Sequence, residues 1–482
     1  MQNLNESLQA KYPHLQISIF NFKKVSTHLI FGSEFNSNTR EQALQTLNIN
    51  SSKTLNDYFD LINITVSSVK ESVYVYDLTH SLGNFMSDVE LSNDDLGSTK
   101  KEAIAADFVI SRLRSYLQEM AVIQPKNFRQ LLSTEYLVYR AKTDLLSANT
   151  LMVFALTKEI QTILNHSQYG TEHPRFYEFV LNEMPIPNAL LALNNEIDLI
   201  MKKAYEILET SKVLYKEAQE LLYKELELDF KNPLESLLKS SLQAKKASEL
   251  AIINDISKKY PHLNISVRPL SKSLYKSGRL DSEYYQSKYD AIERKIKDYQ
   301  GGWGYVKTMF SRNNTTCNFL KDKYKYIEIG DINTSNGMAS FNEIPTNELP
   351  ANAKIMIEKN DILISKVRPY RGAVAIIDFD IKDTIASGAF VVLRENGDFK
   401  KEVLQVLLRT TIYKEWLLKW NVGTSYPVIK DENILDLPIP KINPATQEQI
   451  ALKIQKSFTL RAKSKDLLQN AKIKLENAIE NG

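Results

Sequence analysis

The sequence predicts an α+β protein in which two tandem-repeated, mostly β domains are separated and followed by long helices that pair as a coiled coil. Three features of the 482 residues predict this fold. They are a long internal repeat, short strand-like runs within each copy, and two segments whose apolar residues recur about every 3.5 positions. The pattern changes divide the chain into 1–190, 191–230, 231–258, 259–443 and 444–482, of which 231–258 is a connector.

The internal repeat covers about half of the chain per copy. KYPHLQIS at Lys11 returns as KYPHLNIS at Lys259, and DFVISRL at Asp107 returns as DILISKV at Asp361. A Pro-Ile-Pro run then closes each copy. The order of the matches is kept and their spacing is nearly constant, which a coincidental similarity between two α/β domains would not produce.

Short strands dominate each copy. The runs VYVYDL, DFVISRL and EYLVYR in the first copy, and YIEIGDI, DILISKV and AFVVLR in the second, are rich in β-branched and aromatic residues, with turn residues between them. One helical-looking run precedes Gly170, and another precedes Gly423. Each copy is therefore predicted as a mostly β domain with a single intervening helix and a few peripheral helices.

A helical stripe follows each Pro-Ile-Pro run. Its apolar and small residues in the first copy are Ile197, Ile200, Ala204, Ile207, Ser211, Leu214, Ala218, Leu221 and Leu228. In the second copy they are Ile450, Ile454, Ser457, Ser464, Leu467, Ala471, Leu475 and Ala478. A helix of this length extends roughly 50 Å and needs a partner along it. The small residues would allow two helices to approach closely, although each helix could instead pack on its own domain.

Composition limits the possible functions. The net charge of +3 places any basic surface locally rather than over the whole chain. The single cysteine, Cys317, can form neither an internal disulfide nor a multi-thiolate metal site. The sequence shows neither a signal peptide nor an apolar run of about 18 residues, so a cytoplasmic protein without metal is expected.

The chain resembles a known family. DILISKVRPYRGAVAII, GTSYPVIKDENILDLPIPKINPATQEQIALKIQ and the duplication are similar to the specificity subunits of type I restriction-modification systems. The resemblance implies that 1–190 and 259–443 are target-recognition domains, each reading one half of a bipartite double-stranded DNA target. It implies that the spacer helices, 191–230 and 444–482, fix the spacing and dock two methyltransferase subunits, and that a restriction and translocase subunit joins for cleavage.

The first copy departs from this pattern. Its SRLRSYLQEM lacks the glycine that Gly372 supplies in the second copy, and HSQYGTEHPRF is a poor match to KWNVGTSYPVI. The first half of the target could therefore be read differently from the second.

A matched basic cluster is the first candidate for DNA contact. Its members are Arg112, Arg114 and Tyr116 in the first copy, and Lys366, Arg368, Tyr370 and Arg371 in the second. Arginine and lysine bind phosphates, and arginine also reads guanine. We predict that these basic residues alternate along one face of a strand, opposite Leu113 and Val367. The alternative is that these residues lie on an ordinary solvent-exposed strand face and have no role in DNA binding.

Two further segments could contact DNA. A glycine turn follows the helical run in each copy, with Gly170 and Thr171 in the first and Gly423, Thr424, Ser425 and Tyr426 in the second. Such a turn can present backbone N–H groups to a phosphate, or it can simply connect elements. The run GGWGYVKTMFSRNNTT, which contains Trp303, Arg312, Asn313 and Asn314, could form a reading loop without a counterpart in the first copy.

Catalytic motifs are missing from the sequence. Asn232-Pro233 and Asn443-Pro444 do not continue into a methyltransferase-type Asn-Pro-Pro-Tyr, and a phosphate-binding Gly-Lys-Ser/Thr loop is absent. The six histidines are scattered, and His14 and His262 look structural. A non-catalytic subunit without a cofactor is therefore expected. The alternatives are a specificity subunit of a related system with a fused methyltransferase-nuclease partner, a coiled-coil scaffold that does not bind DNA, and a nuclease with an unrecognised site.

Overall fold

The computed structural model describes residues 2–15, 17, 19, 22–93, 95–243, 256, 258–260, 268–271, 273, 275, 278–379, 381–423 and 426–481. Most of the second KYPHLNIS segment, including His262, lies outside these residues. The chain divides into unit 1, residues 1–209 and 461–482, and unit 2, residues 210–460. Both units mix helices with strands, so the predicted α+β class is confirmed. The five predicted segment boundaries stay a prediction.

Unit 1 begins with helices and continues into small sheets. Its helices are α1 (Gln2–Lys11), α2 (Phe22–Val25), α3 (Asn38–Asn48), α4 (Ala148–Ala155), α5 (Lys158–Asn165) and α6 (Glu178–Asn182). Its strands are β1 (Ser51–Thr54), β2 (Phe59–Ile62), β3 (Thr65–Val66), β4 (Val73–Tyr76), β5 (Leu91–Ser92), β6 (Lys100–Ala103), β7 (Phe108–Ser111), β8 (Met120–Val122), β9 (Gln130–Ser133), β10 (Tyr136–Ala141), β11 (Gln168–Tyr169), β12 (Arg175–Phe176) and β13 (Pro185–Pro187). The sheet orders are β2-β10-β7-β8, β3-β6-β9-β4-β5, β1-β13 and β11-β12.

Two helices follow the strands of unit 1 along the chain. They are α7 (Asn188–Glu225), which extends over residues of both units, and α8 (Pro233–Gln243). Unit 2 then contains α9 (Ser287–Lys297), α10 (Val306–Met309), α11 (Lys401–Leu408), α12 (Thr411–Leu417) and α13 (Asp431–Leu435). The long α14 (Pro444–Asn481) begins in unit 2 and ends in unit 1.

The strands of unit 2 form a similar set of sheets. They are β14 (Trp303–Tyr305), β15 (Phe310–Arg312), β16 (Lys323–Ile327), β17 (Ile332–Asn333), β18 (Met338–Ala339), β19 (Asn342–Pro345), β20 (Ala353–Met356), β21 (Ile362–Ser365), β22 (Val374–Ile376), β23 (Thr384–Ser387), β24 (Phe390–Glu395) and β25 (Pro438–Pro440). The orders are β15-β24-β21-β22-β18-β17, β19-β16-β23-β20 and β14-β25. The central antiparallel trio β10-β7-β8 of unit 1 corresponds to β24-β21-β22 of unit 2.

The prediction of one intervening helix per copy is wrong. The run before Gly170 forms α4 and α5, and the run before Gly423 forms α11, α12 and a short 3-10 turn. A threonine divides the two helices in each unit. Thr157 and Thr410 adopt extended N-cap conformations, and each hydroxyl donates to the carbonyl three residues earlier. An extended residue at this position starts a new helix instead of continuing the old one.

Within unit 1, residues of α7 and α14 run antiparallel against each other. Ser464 Oγ donates to the carbonyl of Ala204 at 2.8 Å, and Lys474 donates to Glu196. From the first contact to the second, the residue number increases along α14 and decreases along α7. The two segments therefore run in opposite directions. Ala204 is fully buried and Ser464 is 1% exposed, so their small side chains lie in the contact between the helices.

Within unit 2 the same two helices make a second antiparallel contact. Ser457 Oγ donates to the carbonyl of Ser211 at 2.9 Å, and Thr446 Oγ1 donates to Glu225 at 3.0 Å. Ser211 and Ser457 are fully buried. Small hydroxyl residues thus satisfy their own hydrogen bonds inside a tight helix contact, which explains their presence in an otherwise apolar stripe.

Candidate nucleic-acid interface

The basic cluster does not lie on a strand, so that part of the prediction is wrong. Strand β7 ends at Ser111 and β21 ends at Ser365. Each serine hydroxyl accepts from the N–H two residues later and donates to the carbonyl of that same residue. The regular strand ends here and the chain turns, with single β-bridges remaining from Leu113 to Arg175 and from Val367 to Val428. Short hydroxyl side chains commonly form such local bonds in competition with a strand ladder.

The residues after each turn form a strained loop. We call 112–118 and 366–372 the arginine loops. Arg114 has φ 50° and Arg368 has φ 49°, both in the left-handed region, and each precedes a 3-10 turn. A side chain other than glycine in this region costs roughly 1–2 kcal/mol. Such strain persists only where surrounding contacts hold it, and it is concentrated at functional sites.

A second segment in each unit holds the arginine in place. We call 170–174 and 423–427 the glycine turns. The N–H of Arg114 donates to the carbonyl of Pro174 at 2.8 Å, and the N–H of Arg368 donates to the carbonyl of Pro427 at 2.7 Å. The structure therefore brings the first two sequence-predicted groups together, one arginine loop with one glycine turn in each unit.

Glycine is required where the turns begin. Gly170 and Gly423 have φ values of 87° and 98°. A Cβ on Gly423 would also lie 3.0 Å from the carbonyl oxygen of Tyr426. Thr171 is exposed at the turn of unit 1, whereas Thr424 and Ser425 lie outside the described residues.

The two arginine side chains meet different partners. In unit 1, Nη2 of Arg114 lies 3.0 Å from Nδ1 of His173. In unit 2, the guanidinium of Arg368 lies 4.4 Å from the ring centroid of Tyr426, a cation–π contact. Nε of Arg368 is buried and has no hydrogen-bond partner among the described residues. Arg368 is therefore held by stacking, and Arg114 by a hydrogen bond.

Arg112 and Lys366 are tied to carboxylates instead of facing outward. Arg112 pairs with Glu178 at 3.0 Å and with Glu135 at 3.2 Å, and Lys366 pairs with Asp431 at 2.8 Å. Their side chains are 29% and 20% exposed. These ion pairs join the start of each arginine loop to α6 or α13. The two residues are thus better placed to support the loops than to contact a phosphate.

The carboxylate of Glu135 is the centre of a small charged network in unit 1. It accepts from Arg175 at 2.7 Å as well as from Arg112. The hydrogen bonds from Arg175 and then from Arg112 lower the pKa of Glu135, although burial opposes them. The network keeps the base of the arginine loop charged and paired.

Both arginine loops and the glycine turn of unit 2 carry exposed aromatic residues. Tyr116 and Tyr370 are 58% and 40% exposed, and Tyr426 is 65% exposed. Arg371 is exposed too, while the first arginine loop carries Leu117 at the matching place. An arginine beside exposed aromatic rings can contact phosphates, bases or both.

Much of the third predicted segment is strand, so the prediction of a loop is wrong there, whereas a DNA contact by Arg312 or Asn314 stays a prediction. Trp303 lies in β14, which pairs with β25, just as β1 pairs with β13 in unit 1. Arg312 pairs with Asp431. Asn313 is 7% exposed and donates to Asp361 and to the carbonyl of Met356. The segment therefore has a counterpart in the first copy and builds the sheet.

Sequence reasoning missed His173 and the two proline carbonyls. The signal was present, because EHPRF and SYPVI stand at matched positions and align His173 with Tyr426. The sequence could not reveal that this position meets the loop arginine.

Metal sites and membrane spans are both absent from the described residues. Among them no group of three histidine, cysteine or carboxylate side chains could hold a metal ion. In the same part of the chain, no helix is long and apolar enough to cross a membrane.

Part of the chain is similar to a known protein family. The family of type I restriction modification DNA specificity domains matches residues 306–476. The chain is 28% identical over 139 residues to the specificity subunit of the type I restriction enzyme HindI of Haemophilus influenzae, a match covering 28% of this chain and 27% of that one. It is 24% identical over 275 residues to the MjaVIII specificity subunit of Methanocaldococcus jannaschii, covering 53% of this chain and 62% of that one. The matches thus span less than two thirds of either relative.

A solved structure is also similar. It is the S subunit of a type I restriction-modification system from M. genitalium, with 12% identity, a TM-score of 0.41, and coverage of 90% of this chain and 96% of that one. The sequence matches confirm the predicted resemblance to type I specificity subunits.

Proposed function

We propose that this chain is the DNA-reading subunit of a type I restriction-modification complex, because residues 306–476 match the family of type I restriction modification DNA specificity domains. Each unit reads one half of a bipartite target through its arginine loop and glycine turn. The observation that carries this proposal is the matched construction of the loops, with a left-handed arginine held by a proline carbonyl in each unit.

In this proposal the loop arginines make the main DNA contacts. Arg114 and Arg368 reach either guanine edges or phosphates, and Tyr116, Tyr370 and Tyr426 supply exposed rings beside them. Arg371, Thr171 and the backbone of the glycine turns add phosphate contacts. Arg112 and Lys366 hold the loops through their carboxylate partners.

The long helices hold the two readers apart and offer docking surfaces. Each of α7 and α14 has 38 residues, which corresponds to about 57 Å of helix. We infer that they pair as a coiled coil along their length, that two methyltransferase subunits dock on them, and that a restriction and translocase subunit joins for cleavage. The chain itself contributes no catalytic group in this assignment.

Methylation mapping in the host tests the proposal. Removing the chain's gene should abolish methylation at one two-part sequence motif, and restoring the gene should return it. The purified complex with its modification subunits should also bind duplex DNA with an affinity that falls steeply between 50 and 200 mM salt, roughly 10³-fold or more for six phosphate contacts. An unchanged methylation pattern together with salt-insensitive binding would favour the scaffold alternative.

The identity of the partner proteins distinguishes this proposal from the alternative of a related system with a fused methyltransferase-nuclease partner. Affinity purification of the tagged chain from its host should recover separate modification and restriction polypeptides. Recovery of one polypeptide carrying both methyltransferase and nuclease motifs would instead assign the chain to the related system with a fused partner.

A further inference from the structure

The residue that faces the loop arginine differs chemically between the two units. His173 occupies this place in unit 1 and Tyr426 occupies it in unit 2. Both residues stand directly before the proline whose carbonyl accepts the arginine N–H. The backbone construction is therefore shared, and the difference lies in one side chain.

The contact in unit 1 depends on the protonation state of the imidazole. Nδ1 of His173 can accept from Arg114 Nη2, at 3.0 Å, only while it carries no proton. A protonated imidazole has two donors and no acceptor, and it adds a positive charge beside the guanidinium. Histidine is the side chain that ordinarily changes charge between pH 5 and 8.

The contact in unit 2 lacks this dependence. The guanidinium of Arg368 stacks on the ring of Tyr426, and this contact involves no imidazole. The two halves of the molecule therefore respond differently to the same change in pH.

We propose that position 173 in unit 1 and position 426 in unit 2 set how the loop arginine is presented to DNA, and that His173 makes the first half-site reader pH-sensitive. The inference rests on the proposed function. A neutral His173 holds Arg114 against the glycine turn. When His173 is protonated, the hydrogen bond is lost, the two cations repel, and both can face the DNA backbone.

The other charged groups around this contact include Glu119, a buried residue whose pKa is raised by burial and whose carboxyl group interacts electrostatically with Arg114. Arg175 donates to the backbone carbonyl of His173 at 3.1 Å and pairs with Glu135, which also accepts from Arg112. Arg112 has Glu178 as a further partner, and Glu172 precedes His173 on the exposed turn. The carboxylates of Glu135 and Glu178 are thus engaged with arginines of the network.

The salt dependence of DNA binding measures the effect directly. Each phosphate neutralised contributes about −0.9 to the slope of log affinity against log salt. With the assembled complex and a duplex bearing its mapped target, the slope should become steeper by about 0.9 when the pH is lowered from 7.5 to 6.0. This readout counts ionic contacts, so a purely structural loss of affinity would not produce it.

Reciprocal substitutions assign the effect to these positions. His173→Gln and His173→Tyr should each abolish the change in slope between the two pH values. Tyr426→His should add a second change of similar size, and it tests the inference separately if the His173 variants do not fold.

Two results would overturn the inference. One is a change in slope that persists in His173→Gln, and the other is the absence of any added change in Tyr426→His. Neither result touches the proposed function, because DNA binding itself would remain. Failure of every variant and of the parent to bind the mapped duplex would instead contradict the proposed function.

Discussion

Two arginines in strained backbone conformations are the most informative single residues of this chain. Arg114 and Arg368 hold left-handed φ angles that glycine would adopt without cost. The side chain of Arg368 stacks on Tyr426 and that of Arg114 bonds to His173, whereas the neighbouring Arg112 and Lys366 are tied to carboxylates. In each unit, the strained backbone thus occurs at the arginine that can face a ligand.

Truncating these arginines should impair DNA binding through different halves of the target. Arg114→Ala and Arg368→Ala should each cost roughly 1–3 kcal/mol and relax one base position if the arginine reads a base. A phosphate contact would instead weaken all sequences alike. Binding to duplexes with one mutated half-site distinguishes these outcomes, with Arg129→Ala, a surface arginine paired with Glu71 and Glu102, as the control. Parent-like binding and discrimination by both variants would remove the loops from the interface.

The strain itself can be measured with a second substitution at the same positions. Arg114→Gly should be more stable than Arg114→Ala by about 1 kcal/mol, because only glycine adopts a positive φ without a steric cost. Arg368→Gly should likewise be more stable than Arg368→Ala by a similar amount. Denaturant unfolding of each pair gives the difference. The same pair at Arg129, whose φ is not positive, should show no gain for glycine. An equal stability of the two variants at 114 and 368 would mean that the loops are not strained.

The network at Glu135 predicts a dependence of stability on pH. The folded state lowers the pKa of Glu135, so this residue stabilises the fold above its unfolded pKa of about 4.3. That stabilisation is lost as the pH falls through the folded pKa. Glu135→Gln should therefore lose less stability than the parent between pH 5 and pH 3, as measured by urea unfolding at each pH. Identical pH profiles would show that the ion pairs with Arg175 and Arg112 contribute nothing.

At the scale of elements, periodic patterns were predictable and turn chemistry was not. The two long helical stripes appear as α7 and α14, and the strand-like runs appear as β4, β7 and β10 with their partners β16, β21 and β24. The basic residues were wrongly assigned to strands, because Ser111 and Ser365 end the ladder with side-chain hydrogen bonds that alternation does not reveal. The helical runs were wrongly left unbroken, because Thr157 and Thr410 are compatible with either outcome until their backbone angles are known.

The candidate site was also predictable from the sequence only in part. The sequence identified Arg114, Arg368 and the glycine turns, since these repeat at matched positions. It could not distinguish Arg114 from Arg112, because their roles depend on which carboxylates lie nearby. Glu135 and Glu178 are far from Arg112 in sequence, and only the fold brings them to it.

The close helix contact can be tested by enlarging one small residue. Ser464 is 1% exposed and donates to Ala204, so Ser464→Leu should overpack the contact and destabilise it by about 1–3 kcal/mol. Lys463→Leu, at the neighbouring exposed position, is the matched control and should change stability by less than about 0.5 kcal/mol. Thermal unfolding of both variants measures this difference in stability. Equal melting temperatures would show that the contact tolerates a large side chain.

At the scale of the whole molecule, equivalent residues of the two halves make equivalent bonds. Asp107 binds Arg140 and Asp361 binds Arg394, each through two hydrogen bonds at the start of the strand that leads to the arginine loop. Both aspartates are almost fully buried. The proposed function assigns the two parts of a target to these matched halves, and the distance between the parts to the long helices.

The last prediction tests those helices as a ruler. Four residues inserted into α7 near Glu217, with four more inserted into α14 at its partner Lys453, should lengthen the pair by about 6 Å and rotate the helix beyond each insertion by about 40°. B-DNA advances about 3.4 Å per base pair, and its turn of about 10.5 base pairs makes one to two base pairs the closest match in both distance and rotation. Insertions of four residues are also tolerated by coiled coils, which unwind locally to accommodate them.

Methylation mapping in the host should then show the same two half-sites with a gap longer by one or two base pairs, because no DNA-contacting residue has changed. The same four residues inserted at the exposed turn around Gly397 serve as the control and should leave the gap unchanged. An original gap in the helix variant, with methylation intact, would mean that the helices do not set the distance between the half-sites.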